Sequence, residues 1–395
     1  MTRSVSDFQR VKRVKVVGEM KFTVDQQSLT DGVNWVSRSL STRPIKTELL
    51  GIVIDATNDE VFLSGSDLET SSKAHFTADI SVKGKVLVPG KLLAEICRSL
   101  PNKPITIALD GTRVFVTSGS AKFTLPTLSI DEYPHLPELP EATGVVASDT
   151  FAQAVAQVAI AAGRDDSLPT LTGVHIDITE EKITLAATDR YRLAVREFNW
   201  QPSQPGISTT ALLRGRTIAE AAKSLAGSKE VSLSLAPVVS NDRLAGFAGS
   251  GKTMTSRMLD GTFPPYRHLL EQNIISTTVV EVAPFLDSVR RVALVTDKTV
   301  PLRLEFNGTT LSLEAGAGEE AQATETIDIL LTGEAISIAF NPTFLADGLQ
   351  AVGTPFVQIS FTGSNKPAIL MGKNEASGNV VENYRYLLMP MRYAS

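Results

Sequence analysis

The strongest constraint on this chain is internal repetition: one helical decapeptide pattern occurs three times. In Lys91–Leu100, KLLAEICRSL, the apolar Leu93, Cys97 and Leu100 fall at i, i+4 and i+7, one face of a short helix. Arg216–Leu225, RTIAEAAKSL, and Thr343–Val352, TFLADGLQAV, stack on it without gaps. The columns agree in chemistry: Leu93/Ile218/Leu345, Ala94/Ala219/Ala346, Glu95/Glu220/Asp347 and Leu100/Leu225/Val352.

The flanks repeat as well. Shortly after each helix comes an alternating run, Ile105–Leu109, Val231–Leu235 and Val357–Phe361, whose period of two marks a strand with one buried face. A turn of shared composition is then expected at Gly119-Ser-Ala-Lys122, Gly249-Ser-Gly-Lys252 and Gly363-Ser-Asn-Lys366. Upstream, Val33/Val36, Val155/Val158 and Val289/Val292 occupy matching places in a second helix pattern. Three divergent copies of one α+β unit follow. They divide the chain into an N-terminal extension over 1–19 and domains over 20–144, 145–270 and 271–395.

Within this frame Met20–Val24 reads as the opening strand, followed by a helix over Leu29–Leu40. Asp131–Pro140, with three prolines, reads as an extended connector. The second copy opens near Val145 with a helix over Phe151–Ala162 and closes at Asp260–Leu269. The third opens at Thr278–Val282, starts its helix at Phe285 and ends on an apolar strand and tail, Tyr384–Arg392. Strands are also expected at Gly51–Asp55, Val61–Ser64, Gly173–Asp177 and Ile183–Ala187.

Composition narrows the function classes. Hydrophobic residues at 43% and charged residues at 21% suit a chain that buries real cores. The one cysteine, Cys97, excludes an intramolecular disulfide framework and a cysteine-rich zinc site. No apolar run reaches membrane-spanning length, and the basic start (Arg3, Arg10, Lys12, Arg13, Lys15) lacks a secretory apolar stretch, so a cytoplasmic location is expected. A net charge of −5 argues against a uniformly basic nucleic-acid binder but leaves room for one basic face.

Gly246-Phe-Ala-Gly-Ser-Gly-Lys-Thr253 formally matches the phosphate-binding GxxxxGK[ST] loop. That loop works between a strand and a helix, yet Met254–Leu259 reads as strand, so a hairpin turn is the better account. Four histidines (His75, His135, His175, His268) lack metal-ligand spacing. Asp165-Asp166 reads as a solvated loop rather than a magnesium site, and Glu180-Glu181 as a hairpin turn. No catalytic motif, cofactor or metal site is expected. The repeated helices carry Lys91 and Arg98 in the first copy and Arg216 and Lys223 in the second, in the same two columns. Arg38, Arg290 and Arg291 belong to the other helix set. On charge pattern alone these are solvated helix faces; in a curved arrangement they would line one concave surface.

Over about Met20 to Tyr393 the chain resembles the bacterial DNA polymerase III β-subunit family, the replicative sliding clamps, and its actinobacterial members most. The resemblance rests on five segments in order: Met20–Val24, Val88–Leu100, Ala187-Thr-Asp-Arg-Tyr-Arg-Leu-Ala-Val195, Asp260–Tyr266 and Tyr386–Arg392. Gly163-Arg-Asp-Asp and Asn341-Pro-Thr carry the actinobacterial likeness.

The resemblance implies a head-to-tail homodimer closing a ring of six α+β clamp domains, each with two helices packed on antiparallel sheets. Helices would line the hole, with Lys91, Arg98, Arg216, Lys223 and the loop residue Arg43 meeting duplex phosphates without reading bases. It further implies a pocket between the second and third copies for short linear motifs. The partners would be the polymerase III α subunit, the clamp loader δ subunit, other polymerases, ligase and mismatch-repair proteins. By motif position that pocket would use Leu171, Thr188, Arg190, Arg192 and Leu193. Pro264, Leu269, Asn341 and Phe344 would join them, with the tail residues Leu387, Leu388, Met389, Pro390, Met391 and Arg392. Met, Leu and Pro would make an adaptable apolar groove, and Arg192 and Asn341 could bond peptide backbone.

Three departures stand out. Arg190-Tyr191 replaces the Gly-His of many members, the chain continues past Arg392, and residues 1–19 have no counterpart in the commonest pattern. A nucleotide-dependent enzyme resting on Gly246–Thr253 and a peptide-binding scaffold without DNA are the competing readings.

Overall fold

The computed structural model describes residues 18–57, 59–235, 243–295, 300–316 and 321–392. The basic N-terminal residues up to Lys15 and the end from Tyr393 to Ser395 lie outside the described residues. The chain forms two compact units. One comprises residues up to Pro137 together with Gly251–Thr253; the other comprises Glu138–Ser250 and Met254 onward.

In the first unit, helix α1 (Gln26–Ser37) packs on helix α2 (Gly90–Ser99). One sheet runs in the order Asp79–Val82, Gly18–Val24, Ile105–Gly111, Arg113–Ser118, Ala121–Pro126. A second set runs Gly84–Pro89, Gly51–Thr57, Glu60–Ser66, Thr70–Thr77, all antiparallel. The second unit repeats the plan twice: α3 (Ser148–Ala159) packs on α4 (Gly215–Leu225), and α5 (Val282–Val292) on α6 (Pro342–Ala351).

The valine pairs and the leading apolar column read from the sequence are core. Val33, Val36, Val155, Val158, Val289 and Val292 are all at most 2% exposed, and Leu93, Ile218 and Leu345 are at 0%. The helices begin three residues earlier than the apolar pattern, at Gln26, Ser148 and Val282 rather than Leu29, Phe151 and Phe285. In α1 the added turn is polar and capped, Asp25 accepting from the Ser28 amide at 2.8 Å, and so carries no apolar signal.

Within the second unit the two copies share one nine-stranded sheet, because Arg192–Asn199 pairs antiparallel with Val380–Leu388. Leu193 lies opposite Leu387 and Arg192 opposite Leu388. This strand pair fixes the junction on which the candidate site is built.

The Gly-Ser turns need one correction. Gly119 and Gly249 close the hairpins between the second and third strands after their helices. Gly363-Ser-Asn-Lys366 instead joins the first and second strands, Phe356–Phe361 and Ala368–Lys373. The true third counterpart is the turn between Lys373 and Val380. Gly-Ser-x-Lys is common turn chemistry, so the composition match there did not mark equivalent places. The segment after Gly251 is a strand, Lys252–Arg257, and the turn residues Ser250 and Gly251 have φ of 47° and 72°. Two consecutive positive φ values make a hairpin turn, with no helix after it to cradle a phosphate.

Candidate functional site

A five-residue turn sets the geometry. After the strand Lys182–Thr188, the Asp189 carboxylate accepts from the Tyr191 and Arg192 amides, each at 3.1 Å. The Thr188 hydroxyl donates to the Arg192 carbonyl at 2.7 Å and accepts from the Arg190 amide at 3.3 Å. The first unit uses the same construction at Ser66–Thr70. Asp67 accepts from Glu69 and Thr70, Ser66 donates to the Thr70 carbonyl and accepts from Leu68. In both, the middle residue is left-handed, Leu68 at φ 78° and Arg190 at φ 79°. This is where the resemblance noted glycine in many relatives. Arg190 sits in a conformation that glycine adopts without strain.

The turn delivers Arg192 inward. Its guanidinium donates to Asp189 at 2.9 Å and to Asp347 of α6 at 2.6 Å, and lies 4.2 Å from the centre of the Phe344 ring. Arg192 is 6% exposed. Burial works against its charge, but Tyr386 and the two carboxylates outweigh this and raise its pKa, so it stays protonated. The Tyr386 hydroxyl in turn donates to the Phe344 carbonyl at 2.8 Å. Arg192 therefore joins the second and third copies, and much of its bonding capacity is taken by protein groups. Asn341 is also committed: its side chain caps α6, accepting from the Thr343 and Phe344 amides. The protein bonds of both leave less of each side chain for the peptide-backbone contacts that the resemblance suggests.

Beside Arg192 lies an open groove of about 380 Å³. Of the residues expected there, Leu171, Arg190, Arg192 and Phe344 line it. Leu193, Leu269 and Leu387 belong to an adjoining apolar cluster with Phe263 and Tyr266. Within it His175 stacks on Phe263 at 5.1 Å, and burial lowers the His175 pKa. Leu388, at 0% exposed, is core rather than wall, on the opposite face of its strand from Leu387. Thr188 shapes the turn, and Pro264 is exposed on the segment leading to Tyr266. The tail leaves the sheet at Leu388. The Met389 amide donates to the Tyr191 carbonyl and that of Met391 to Ala339. Met389 is exposed, Pro390 and Met391 are half-buried, and Arg392 is exposed.

Tyr191 lines one side, where its replacement of the family's histidine would reshape the pocket, and several other groove residues were not foreseen: Arg164, Leu168, Asp189, Thr343 and Asp347. Two had a signal. Asp189 stands in a pattern repeated from Ser66-Asp67, and Asp347 occupies the column where the other copies carry Glu95 and Glu220.

None of the five expected phosphate contacts is among the residues that line this groove. Lys91 and Arg98 on α2, Arg216 and Lys223 on α4, and Arg43 in the loop after α1 are all exposed. Arg98 folds back onto its own helix, donating to the Ala94 carbonyl at 3.1 Å. The third copy has Thr343 and Gln350 in the two basic columns. There α5 supplies the charge instead, with Arg290 donating to Gln350 at 3.3 Å, while Arg291 is engaged by Glu325. Among the described residues no cluster of His, Cys, Asp or Glu is arranged to hold a metal, and no helix is long and apolar enough to cross a membrane.

Comparison with known proteins covers nearly the whole chain. The family model for the DNA polymerase III beta subunit, N-terminal domain, matches residues 20–137. Those for its central and C-terminal domains match 145–265 and 267–392. The beta sliding clamp of Streptomyces coelicolor is 48% identical over 373 residues, 94% of this chain and 99% of that protein. The beta sliding clamp homolog GriR of Streptomyces muensis is 40% identical over 374 residues, covering 95% and 100%. The crystal structure of the DNA polymerase sliding clamp from Bacillus subtilis aligns with a TM-score of 0.85 at 25% identity, covering 95% and 100%.

Proposed function

Because the chain belongs to the DNA polymerase III beta subunit family, the bacterial sliding clamps, we infer that it is a replicative clamp without catalysis of its own. Two copies close head to tail into a ring around duplex DNA and tether the polymerase, raising processivity. One observation carries this reading: all three clamp domains match in order, along almost the full length of both this chain and a relative 48% identical to it.

DNA is held by linkage, so only weak, base-independent contacts are needed along the bore. Lys91, Arg98, Arg216 and Lys223, with Arg43, are the residues we assign to phosphates. Their exposure beside buried apolar columns supports this, and an acidic remainder reconciles it with the net charge of −5. Partners dock linear motifs in the groove at Leu171, Arg190 and Phe344 and on the neighbouring apolar surface around Leu269 and Met389. Arg192 is the frame of that site rather than its free hydrogen-bond donor. A clamp of this kind works in the cytoplasm, on the nucleoid.

Primer extension by the cognate polymerase and loader tests the proposal. Added protein should lengthen products from one binding event, and glutamate at Lys91, Arg98, Arg216 and Lys223 together should impair loading. Unchanged product length with wild-type protein would remove the clamp reading. Indifference to the charge reversal would remove the assignment of those four residues.

A further inference from the structure

A second cavity adjoins the groove, and its chemistry is different. It measures about 370 Å³, lies at the start of α4, and shares Ala162, Gly163 and Arg164 with the groove. The dividing ridge is thin. The Gly163 amide donates to the Leu171 carbonyl at 2.7 Å, and a Cβ at 163 would lie 3.1 Å from that oxygen.

The groove balances three arginines with three aspartates, but the second cavity sets Arg164, Arg214 and Arg216 against Asp166 alone. Arg214 is taken by Asp166 at 2.9 Å. Arg164 and Arg216 have no ion-pair partner among the described residues and are exposed. We propose that this cavity is a carboxylate subsite: it takes an aspartate or glutamate flanking the apolar anchor of a partner peptide seated in the groove. The inference rests on the groove being the peptide site. An extended chain advances about 3.3 Å per residue, so a side chain within a few positions of the anchor crosses the ridge. Guanidinium forks suit a carboxylate, and their partial exposure keeps the gain modest.

The test uses the full chain and fluorescein-labelled peptides of the pocket-binding segment of the cognate polymerase III α subunit. Asp-Asp or Asn-Asn is added at the N-terminal or the C-terminal end. Anisotropy at about 50 mM salt should show one Asp-Asp peptide binding roughly three- to tenfold tighter than its Asn-Asn twin. The Arg216→Gln variant, which lies in the second cavity and not in the groove lining, should lose most of that preference with the Kd of the Asn-Asn peptide unchanged. Lys229→Gln, beyond the far end of α4, should retain it. Equal Kd values for the twins on wild-type protein overturn the subsite and leave the groove standing. A preference that Lys229→Gln also erases overturns it, because net charge then explains the effect. If no peptide binds, the groove reading itself fails, and this inference with it.

Discussion

Arg192 and Asp347 meet at 2.6 Å although 155 residues separate them in sequence. The contact ties the strand of the second copy to α6 of the third, beneath the groove proposed to take partner peptides. A guanidinium that is 6% exposed was paired and stacked before any ligand arrives. Removing it strands Asp189 and Asp347 beside an emptied space. Arg192→Ala should therefore destabilise the protein by about 2–3 kcal/mol, below the full cost of breaking a buried pair because Asp347 is partly exposed. Urea unfolding of the variant checks this, and a loss under about 0.5 kcal/mol would show the network to be energetically idle.

Arg190 holds φ at 79°, a conformation that favours glycine. Arg190→Gly should stabilise the turn by about 0.5–1 kcal/mol, whereas Arg190→Ala should gain nothing. Leu68→Gly, at φ 78° in the same hydrogen-bonded turn of the first unit, should behave alike. Matching midpoints for the glycine and alanine variants would show that the turn is unstrained.

Gly348 lies inside α6, where alanine would ordinarily favour the helix. A Cβ there would sit 2.4 Å from the Tyr386 ring, which is fully buried and bonded to the Phe344 carbonyl. Gly348→Ala should cost about 1–3 kcal/mol despite its propensity. Thermal unfolding reads the sign directly: a raised Tm would mean that the ring gives way freely.

His175 stacks on Phe263 with its pKa lowered, chiefly by burial. A lowered value means that the unfolded chain takes the proton first as pH falls. The stabilisation is thus complete above about pH 6.5 and is lost as pH drops from there through the folded pKa. Unfolding midpoints measured between pH 7.5 and 5.5 should fall more steeply for wild type than for His175→Gln. Parallel slopes would locate the acid sensitivity elsewhere.

Repetition made the fold legible. Columns such as Val33/Val36 and Leu93 need only local periodicity, and each proved buried in every copy. Turn composition misled at Gly363, where chemistry common to many hairpins stood in for equivalence. The groove was readable at Leu171, Arg190 and Phe344. Its frame was not, because Arg192–Asp347 is a long-range pair that no local pattern announces, and the burial of Leu388 depends on what packs over its face of the sheet. Asn341 carried a readable signal, since a polar residue before Pro342 marks a helix start.

The central claim is topological linkage. It is tested by loading the protein onto nicked circular DNA with a loader of proven activity, washing in high salt, and then linearising the circle. Salt defeats phosphate contacts but not a closed ring. Retention on the circle that disappears on linearisation is the predicted result. Equal retention on both forms would mean ordinary binding and would contradict the ring.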